Sequence, residues 1–401
     1  TVRLTGGAIT DTSITDGNLL LKTNSGSITF IDALTVNVNG TIYGNSATLG
    51  TNSNDNLVNI DSNITLNSYG GNDTIDNYGG NVLINAGKGK NLIRNYAPST
   101  VITGNGDNTI YNSDYAYYSK IICGTGNDSI YNGWASSIIE AGAGNDTIIN
   151  HNVSLLKGGE GDDVIIDEVH PYSTINGGAG NDTIVNSSFH YSIVDEVTID
   201  GGAGNDCIYT SGNGVLVHAG AGNDTITNRG SNCSISGGRG NDSICNYGSN
   251  DTIDAGDGDD TITNRNNSSR GDNILISSGA GNDYIQNEGN NVTINGGKGN
   301  DYVRDSGMGT AYVYSAGDDT LDGFDGIDAI VLGSVKVNSS VRSDDDVILK
   351  LSNKKNLTLK NYGANKINLV KSISDVEKIN VIHNDDDSII ITGTAKQANF
   401  I

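Results

Sequence analysis

The sequence is dominated by a short motif that returns about every 18 residues along most of the chain. The string Ala-Gly-Ala-Gly-Asn-Asp-Thr-Ile occurs at 141–148 and again at 219–226, and close variants surround both copies. Successive copies are mostly 17 to 19 residues apart, with longer steps of 20, 24 and 23 residues. Such a period is typical of solenoids, in which each repeat is one unit stacked on the next. The last acidic position of the motif defines an anchor column, which consists of Asp73, Asn91, Asn108, Asp128, Asp146, Asp163, Asp182, Asp206, Asp224, Asp242, Asp260, Asp283, Asp301 and Asp319.

Two further columns keep a fixed distance from the anchors. An aliphatic residue follows each anchor by two positions, as Ile148 follows Asp146, and a second aliphatic residue recurs about nine positions later. Asn usually stands four positions after the anchor, as at Asn150. β-Branched residues favour strands, glycines allow tight turns, and Asn tolerates left-handed backbone and can hydrogen-bond to an Asn in the next coil. The pattern predicts an all-β fold, a right-handed parallel β-roll or β-solenoid with coils of about 18 residues, flanked by short β capping elements.

The period fails near both ends of the chain, which predicts three regions. Residues 1–67 form an N-terminal β lead-in or cap, 68–325 form the roll, and 326–401 form a C-terminal β cap and the start of a next unit. Strands are predicted at 347–351, 357–360 and 367–370. Because the chain begins at Thr1, we expect an excised piece of a longer protein, and because 18–30 lines up with 346–359, we expect about one period of a larger tandem array or a domain with homologous ends. The alternative is generic similarity between strands.

The net charge of the chain limits the kinds of partner it can bind. The chain has 47 acidic and 23 basic residues and a formal charge of −24. Binding to nucleic acid or to an anionic membrane needs basic patches, so both are excluded as partners. No apolar run reaches the roughly 18 residues of a membrane-spanning helix, so membrane insertion is not expected either.

The anchor column predicts a bound cation. Stacked coils lie about 4.7–4.9 Å apart, and a row of bare carboxylates at that spacing would repel itself. Calcium–oxygen distances of about 2.3–2.6 Å fit one ion between two coils, whereas the stricter octahedron of magnesium fits worse. The alternative is an acidic, solvated edge without ions. Since two buried aliphatic residues per coil make a thin core, we expect folding to be linked to calcium.

The predicted cofactor is therefore Ca²⁺, with about ten ions along one edge of the roll. The expected carboxylate ligands are Asp128, Asp146, Asp163, Asp182, Asp206, Asp224, Asp242, Asp260, Asp283, Asp301 and Asp319, with Asp73, Asp325 and Asp328 as further candidates. Turn carbonyls would complete the sites, at Gly124, Gly126, Gly142, Gly144, Gly159, Gly161, Gly178, Gly180, Gly202, Gly204, Gly220, Gly222, Gly238, Gly240, Gly256, Gly258, Gly279, Gly281, Gly297 and Gly299.

These repeats resemble the hemolysin-type, or RTX, calcium-binding nonapeptide Gly-Gly-x-Gly-x-Asp-x-(aliphatic)-x, closely over 120–325 and more loosely over 68–120. The resemblance implies a parallel β-roll in which Asp side chains and turn carbonyls of successive coils hold calcium. It also implies type I secretion of the unfolded chain and folding in calcium-rich surroundings, hence an extracellular or cell-surface location.

The chain departs from the family pattern in two respects. The second half-turn, as at 229–232, lacks the acidic motif, so we expect calcium on one edge and an Asn-rich, ion-poor edge opposite. At 88–91 two lysines occupy the motif and the anchor is the amide Asn91, which suggests that a lysine ammonium replaces the ion there. Calcium should then be missing or weak between Asp73 and Asn108.

Four other features are candidate sites, each with a plainer alternative. His151, His170 and His190 could bind zinc or copper on one edge, or be ordinary turn residues. Arg270-Gly-Asp272 spells an integrin-binding tripeptide, although the repeat itself explains part of it. The cysteines Cys123, Cys207, Cys233 and Cys245 are expected to be free thiols, with a disulfide as the alternative. An aromatic cluster could stack on sugars or proteins, or shield irregular coils: Tyr111, Tyr115, Tyr117, Tyr118, Tyr131, Trp134, Tyr172, Phe189 and Tyr191.

No catalytic constellation stands out, so we expect a protein that is not an enzyme. The sequence contains no His-Glu-x-x-His and no Gly-x-Ser-x-Gly motif, and the anchor column accounts for the abundant Asp. The favoured function is a calcium-binding extracellular structural or adhesive segment of a large bacterial surface or secreted protein. The alternatives are a carbohydrate-targeting or folding-assist module of a secreted enzyme, and a subunit that assembles with copies of itself into filaments or a surface layer.

Overall fold

The computed structural model describes residues 50–168, 172–187, 196–265, 272–324, 327–362 and 368–372, and the backbone of the strands within 9–44 and 380–392. The chain divides into two compact units, Thr1–His190 and Tyr191–Ile401. Within the described residues every regular element is a β-strand, and no helix there is long and apolar enough to cross a membrane.

The described residues of the first unit form twenty strands. In chain order they are β1 Ile9–Thr15, β2 Asn18–Thr23, β3 Gly26–Phe30, β4 Thr35–Val38, β5 Thr41–Gly44, β6 Asn56–Asn59, β7 Thr65–Asn67, β8 Thr74–Asn77, β9 Val82–Gly87, β10 Leu92–Asn95, β11 Ser99–Thr103, β12 Thr109–Asn112, β13 Ser119–Ile122, β14 Ser129–Asn132, β15 Ser137–Ala143, β16 Thr147–Asn150, β17 Leu155–Glu160, β18 Val164–Glu168, β19 Thr174–Ala179 and β20 Thr183–Ser187.

These strands form two parallel sheets that alternate along the chain. Each even-numbered strand from β6 to β20 pairs with the next even-numbered strand, and the odd-numbered strands from β7 to β19 pair in the same way. The N-terminal strands are antiparallel instead, β1 with β2, β2 with β3, and β4 with β5, and β5 then joins β6 in parallel. The predicted parallel β-solenoid with a spacing of about 18 residues is therefore confirmed.

The second unit repeats this arrangement. Its strands are β21 Thr198–Ala203, β22 Cys207–Thr210, β23 Leu216–Ala221, β24 Thr225–Asn228, β25 Ser234–Arg239, β26 Ser243–Asn246, β27 Thr252–Asp257, β28 Thr261–Asn264, β29 Leu275–Ala280, β30 Tyr284–Asn287, β31 Thr293–Asn295, β32 Tyr302–Asp305, β33 Ala311–Val313, β34 Asp319–Asp322, β35 Ala329–Val331, β36 Val337–Ser343, β37 Asp346–Leu351, β38 Asn356–Lys360, β39 Leu369–Val370, β40 Asn380–His383 and β41 Ile389–Thr392.

A β meander closes the second unit. After the parallel sheets, β36, β37 and β38 run antiparallel to one another, and β38 adds in parallel to β34. β39 similarly extends the other sheet beside β35. The unpaired edges of the last coil are therefore covered, which protects them from pairing with other chains. The predicted boundaries at 67/68 and 325/326 stay predictions, and parallel pairing already includes β5, β6 and β7.

The core of each coil consists of two facing aliphatic columns. The strand register places the same residue type at equivalent positions of successive coils. Ile93, for example, pairs with Ile75 on one side and with Ile110 on the other. Alternate residues of each strand are buried, so polar side chains between them point outward. In the first unit the buried columns are Ile75, Ile93, Ile110, Ile130, Ile148, Ile165 and Ile184 from one sheet and Ile84, Val101, Ile121, Ile139, Leu156 and Ile175 from the other.

Glycine is required where the anchor turns of successive coils stack. Gly178 has a φ of 121°, and a Cβ built on it would lie 2.0 Å from the carbonyl oxygen of Gly159 in the preceding coil. Any side chain would therefore meet both backbone strain and a clash. This contact explains why the motif keeps glycine at this position in coil after coil.

The opposite half-turn is closed by a ladder of asparagine amides. Nδ2 of one Asn donates to Oδ1 of the Asn in the next coil at 2.7 to 2.8 Å in the first unit. In the same way Asn228 donates to Asn246, and Asn264 to Asn287, in the second unit. The side chains are fully buried. The predicted hydrogen bonds between Asn residues of successive coils are confirmed, and they join these coils through neutral groups, whereas the ladder continues to an acid at Asp167 and at Asp305. The first-unit ladder consists of Asn59, Asn77, Asn95, Asn112, Asn132 and Asn150.

Candidate metal centre

Each anchor lies at the start of an even-numbered strand, Asp319 as its first residue and the others immediately before it, and its side chain points into the turn. The described Asp anchors from Asp73 to Asp319 are only 1–2 % exposed. Their Oδ1 atoms accept the same hydrogen bond in successive coils: the backbone N–H of one anchor donates to Oδ1 of the next. Asp128 donates to Asp146 at 2.7 Å and Asp146 to Asp163 at 2.7 Å, and in the second unit Asp224 donates to Asp242 at 2.8 Å. One carboxylate oxygen per coil is thus fixed by the backbone.

The other oxygen, Oδ2, is buried without a hydrogen-bond donor at most anchors. Leaving a buried acceptor unpaired costs about 1–3 kcal/mol, and more when the group is charged. The same defect repeated in coil after coil indicates that a positive group belongs there. The anchors whose Oδ2 has this character are Asp73, Asp128, Asp146, Asp163, Asp224, Asp242, Asp260, Asp283 and Asp301.

The electrostatics of the column agree with this interpretation. Burial raises the pKa of Asp146 to about 7 and that of Asp163 to about 6, and neighbouring anchor carboxylates add to the shift. In the second unit burial raises the pKa of Asp260 and of Asp301 to about 7. Without a cation, the carboxyls with a pKa of about 7 are therefore about half protonated at neutral pH. A divalent ion would stabilise the charged form instead.

The two amide anchors show what surrounds the position of Oδ2. Asn108 Nδ2 lies 2.5 Å from the carbonyl oxygen of Gly106 and 2.8 Å from Asp128 Oδ1, with the carbonyl of Gly104 at 3.5 Å. All of these neighbours are oxygen acceptors. Gly142 and Gly144 precede Asp146 by the same four and two residues, and their carbonyl oxygens face the turn of the next coil, close to Gly159 and Gly161. Oxygen ligands from one carboxylate and several carbonyls are the donor set that calcium prefers.

No group of three or more His, Cys, Asp or Glu side chains that could hold a metal ion occurs within the described residues. A metal in the anchor column would therefore be shared between single carboxylates of successive coils and the turn carbonyls. Such a site suits a hard cation rather than zinc or copper, which select imidazole and thiolate. The residues present thus fit Ca²⁺, and the number of ions stays a prediction.

A parallel β-solenoid with a buried acidic column along its turns is the architecture of a repeat protein whose turns can hold cations. Residues 122–148, 173–189, 196–213, 216–244, 234–262 and 277–304 match the family model of the RTX calcium-binding nonapeptide repeat (4 copies). These segments therefore carry repeats of the RTX type, a family whose repeats bind calcium and are typical of secreted proteins. The comparison with curated proteins gives no match.

Two features of the turns differ from what the sequence predicts: Asp55 is a further anchor, and Lys90 does not enter the turn of Asn91. Asp55 precedes β6 in register with Asp73, and its backbone N–H donates to Asp73 Oδ1 at 2.9 Å. The spacing of 18 residues and the following Leu57 were the available signals. Lys90 Nζ lies 2.6 Å from Asp107 on the exposed surface, and the amide of Asn91 itself faces the turn carbonyls. The predicted replacement of the ion by a lysine ammonium therefore does not hold for Lys90, and for Lys88, which is exposed, it stays a prediction.

Of the two C-terminal candidates, Asp328 does not join the anchor column. Asp328 Oδ1 accepts from the backbone N–H of Thr310 at 2.9 Å, in the second half-turn rather than the anchor turn. Asp325 lies outside the described residues. At the end of the column, Asp319 differs from the other anchors because the hydroxyl of Tyr312 donates to its Oδ2 at 2.8 Å.

The remaining candidates are only partly described. His151 Nδ1 lies 3.2 Å from Glu168 Oε2, whereas His170 and His190 lie outside the described residues, so a three-histidine site stays a prediction. Arg270 is also outside them, and Asp272 is buried. All four cysteines are free thiols, as expected.

Proposed function

We propose that this chain is a calcium-loaded structural or adhesive segment of a larger secreted or surface protein, and that it acts outside the cell. The row of buried Oδ2 atoms without donors carries the proposal, because calcium would satisfy that oxygen in coil after coil. Calcium is scarce inside cells and abundant outside, so ion-dependent folding suits an extracellular segment. The role is not catalytic, since the Asp carboxylates of the column are committed to the turns.

Circular dichroism of the chain in EDTA, in calcium and in magnesium tests this function. We expect calcium to strengthen the β spectrum and raise the melting temperature relative to EDTA, and magnesium to do so much less. Asp242→Ala should raise the calcium concentration needed for folding, because it removes a column carboxylate. Asp257→Ala is the matched control, since Asp257 is exposed in the neighbouring turn. An unchanged spectrum and melting point in EDTA would contradict the proposal.

A carbohydrate-targeting role is the second candidate, favoured by an aromatic face on the first unit. The rings of Tyr78 and Tyr96 stack at 4.6 Å, nearly parallel at 7°. Tyr111 and Tyr131 follow at 6.3 Å, and Trp134 is 47 % exposed. Exposed planar rings can pack against the apolar faces of sugars. The predicted cluster is thus partly described, while Phe189 and Tyr191 lie outside the described residues.

A glycan array with the calcium-loaded protein distinguishes this second role. Binding that is lost in Trp134→Ala and kept in Tyr284→Ala would support it, because Tyr284 is an exposed tyrosine of the other unit. Absence of any binding dependent on Trp134 would remove the carbohydrate role and leave the structural one.

A further inference from the structure

Two successive anchors of the first unit carry an amide where the others carry a carboxylate. Asn91 Oδ1 accepts from the backbone N–H of Asp73 at 3.0 Å, and Asn108 Oδ1 accepts from that of Asn91 at 3.1 Å. These bonds are the same ones that Oδ1 of an Asp anchor makes. The second side-chain atom of each Asn, Nδ2, therefore falls where the buried Oδ2 of an Asp anchor lies.

The amide nitrogen is satisfied at this position, in contrast to the carboxylate oxygen. Asn91 Nδ2 lies 3.1 Å from Asn108 Oδ1 and 3.4 and 3.5 Å from the carbonyl oxygens of Gly89 and Gly87. Asn108 Nδ2 meets the corresponding carbonyls of its own turn and Asp128 Oδ1. An NH₂ group carries two hydrogens and partial positive charge, so it can serve several oxygens at once. A carboxylate oxygen facing the same acceptors needs a cation or a proton.

We propose that Asn91 and Asn108 take the place of calcium, so that the turns of these two coils close without an ion while the Asp turns require one. This inference rests on the proposed calcium binding of the Asp anchors. The other parts of these coils need no ion either. The second half-turn is joined by the amides of Asn95 and Asn112 at 2.8 Å, and Lys90 neutralises Asp107 outside the turn.

The consequence is a calcium-independent stretch, formed by the turns of Asn91 and Asn108 with β10 and β12, at the start of the closely matching repeats. A solenoid coil gains most of its stability from its neighbours. Coils that close without the ion can therefore offer a preformed edge to the coils that begin at Asp128. The identity of one side-chain atom, nitrogen or oxygen, decides whether a turn depends on calcium.

Exchange of the two side chains tests the inference directly, since Asn and Asp have nearly the same shape. We expect Asn108→Asp to bind one more calcium ion per chain than the parent at saturating calcium, measured by metal analysis after gel filtration. Asp146→Asn should bind one ion fewer and should fold at a lower calcium concentration. Asn105→Asp is the charge control, because Asn105 is exposed in the same turn as Asn108 and should leave the ion count unchanged.

The outcomes separate this inference from the proposed function. If the parent binds no calcium, the proposed function fails and so does the inference that depends on it. If the parent binds calcium but Asn108→Asp gains no ion relative to Asn105→Asp, the amide does not stand in for the ion and only the inference is overturned. Hydrogen exchange in EDTA gives a second readout, since Asp146→Asn should increase protection in β16 relative to the parent, and unchanged protection would also overturn it.

Discussion

The phenol of Tyr312 donates a hydrogen bond to Oδ2 of Asp319, at 2.8 Å, where both side chains are buried. Tyr312 occupies the position that an aliphatic residue takes in the preceding coils of its sheet, and it is in register with Ile294. Its ring continues the core, and its hydroxyl reaches across to the last Asp of the anchor column. The column thus ends at a neutral donor rather than at an unsatisfied oxygen.

Tyr312→Phe should destabilise the end of the solenoid by removing that donor. We expect the free energy of unfolding in calcium to fall by about 1–3 kcal/mol, because a buried carboxylate oxygen loses its partner. Urea denaturation followed by circular dichroism measures the change. Tyr302→Phe is the control, since its hydroxyl bonds to the half-buried Asp322 at 2.8 Å, and a smaller loss is expected there. Equal losses in the two variants would contradict a special role for Tyr312.

The raised pKa values of the anchors predict opposite pH dependences with and without calcium. Asp146, Asp260 and Asp301 have pKa values of about 7 against 3.8 for the ordinary group. A raised pKa contributes stability that is fully present below the unfolded value and is lost as pH rises through the folded value. In EDTA the melting temperature should therefore increase as pH falls from about 8 to about 5. In calcium it should decrease over that range, because protons compete with the ion for the carboxylates.

Melting curves at several pH values in EDTA and in calcium check this prediction. Asp146→Asn should weaken both trends, since an amide does not titrate in this range. Parallel pH profiles in EDTA and in calcium would show that the column carboxylates do not respond to the ion.

The sequence alone predicts which residues form the stacked columns, but it does not predict the individual contacts that depart from them. The period fixes which residues of successive coils are in register, so the stacking of Ile on Ile and of Asn on Asn followed from spacing alone. Asp55 was missed because its turn lacks the repeated glycines. The contact between Tyr312 and Asp319 joins two half-turns of one coil, and residue spacing does not report which side chains meet across a core. The position of Asn91 Nδ2 depends on the direction of the turn carbonyls, which only the backbone geometry shows.

Alanine at a stacked turn glycine should destabilise the first unit strongly. Gly178→Ala forces a side chain into a φ of 121° and into the carbonyl of Gly159, so we expect a loss of about 2 kcal/mol or more in the free energy of unfolding. Gly80→Ala is the matched control, because a Cβ there meets only Ser62 Oγ at 3.8 Å. Urea denaturation in calcium compares the two, and similar stabilities would show that the stacking contact does not require glycine.

Removal of one amide from the ladder should destabilise the fold whether or not calcium is present. Asn132 donates to Asn150 Oδ1 and to the carbonyl of Ala135, each at 2.7 Å, and accepts from Asn112 at 2.7 Å. Asn132→Ala leaves these buried partners unpaired, so we expect a loss of about 2–4 kcal/mol in the free energy of unfolding. Asn127→Ala is the control, because Asn127 is exposed and accepts from the backbone of Asn145 at 3.0 Å.

The calcium dependence of Asn132→Ala distinguishes the two half-turns. Because Asn132 and its ladder partners are neutral amides, the number of calcium ions bound by the variant should equal that of the parent. The calcium concentration at which half of these ions are bound should change only through the lower folding stability of the variant. Metal analysis at saturating calcium provides the count. A lost ion would place calcium at the amide half-turn as well, and the separation between an ion-dependent edge and an amide-closed edge would then be wrong.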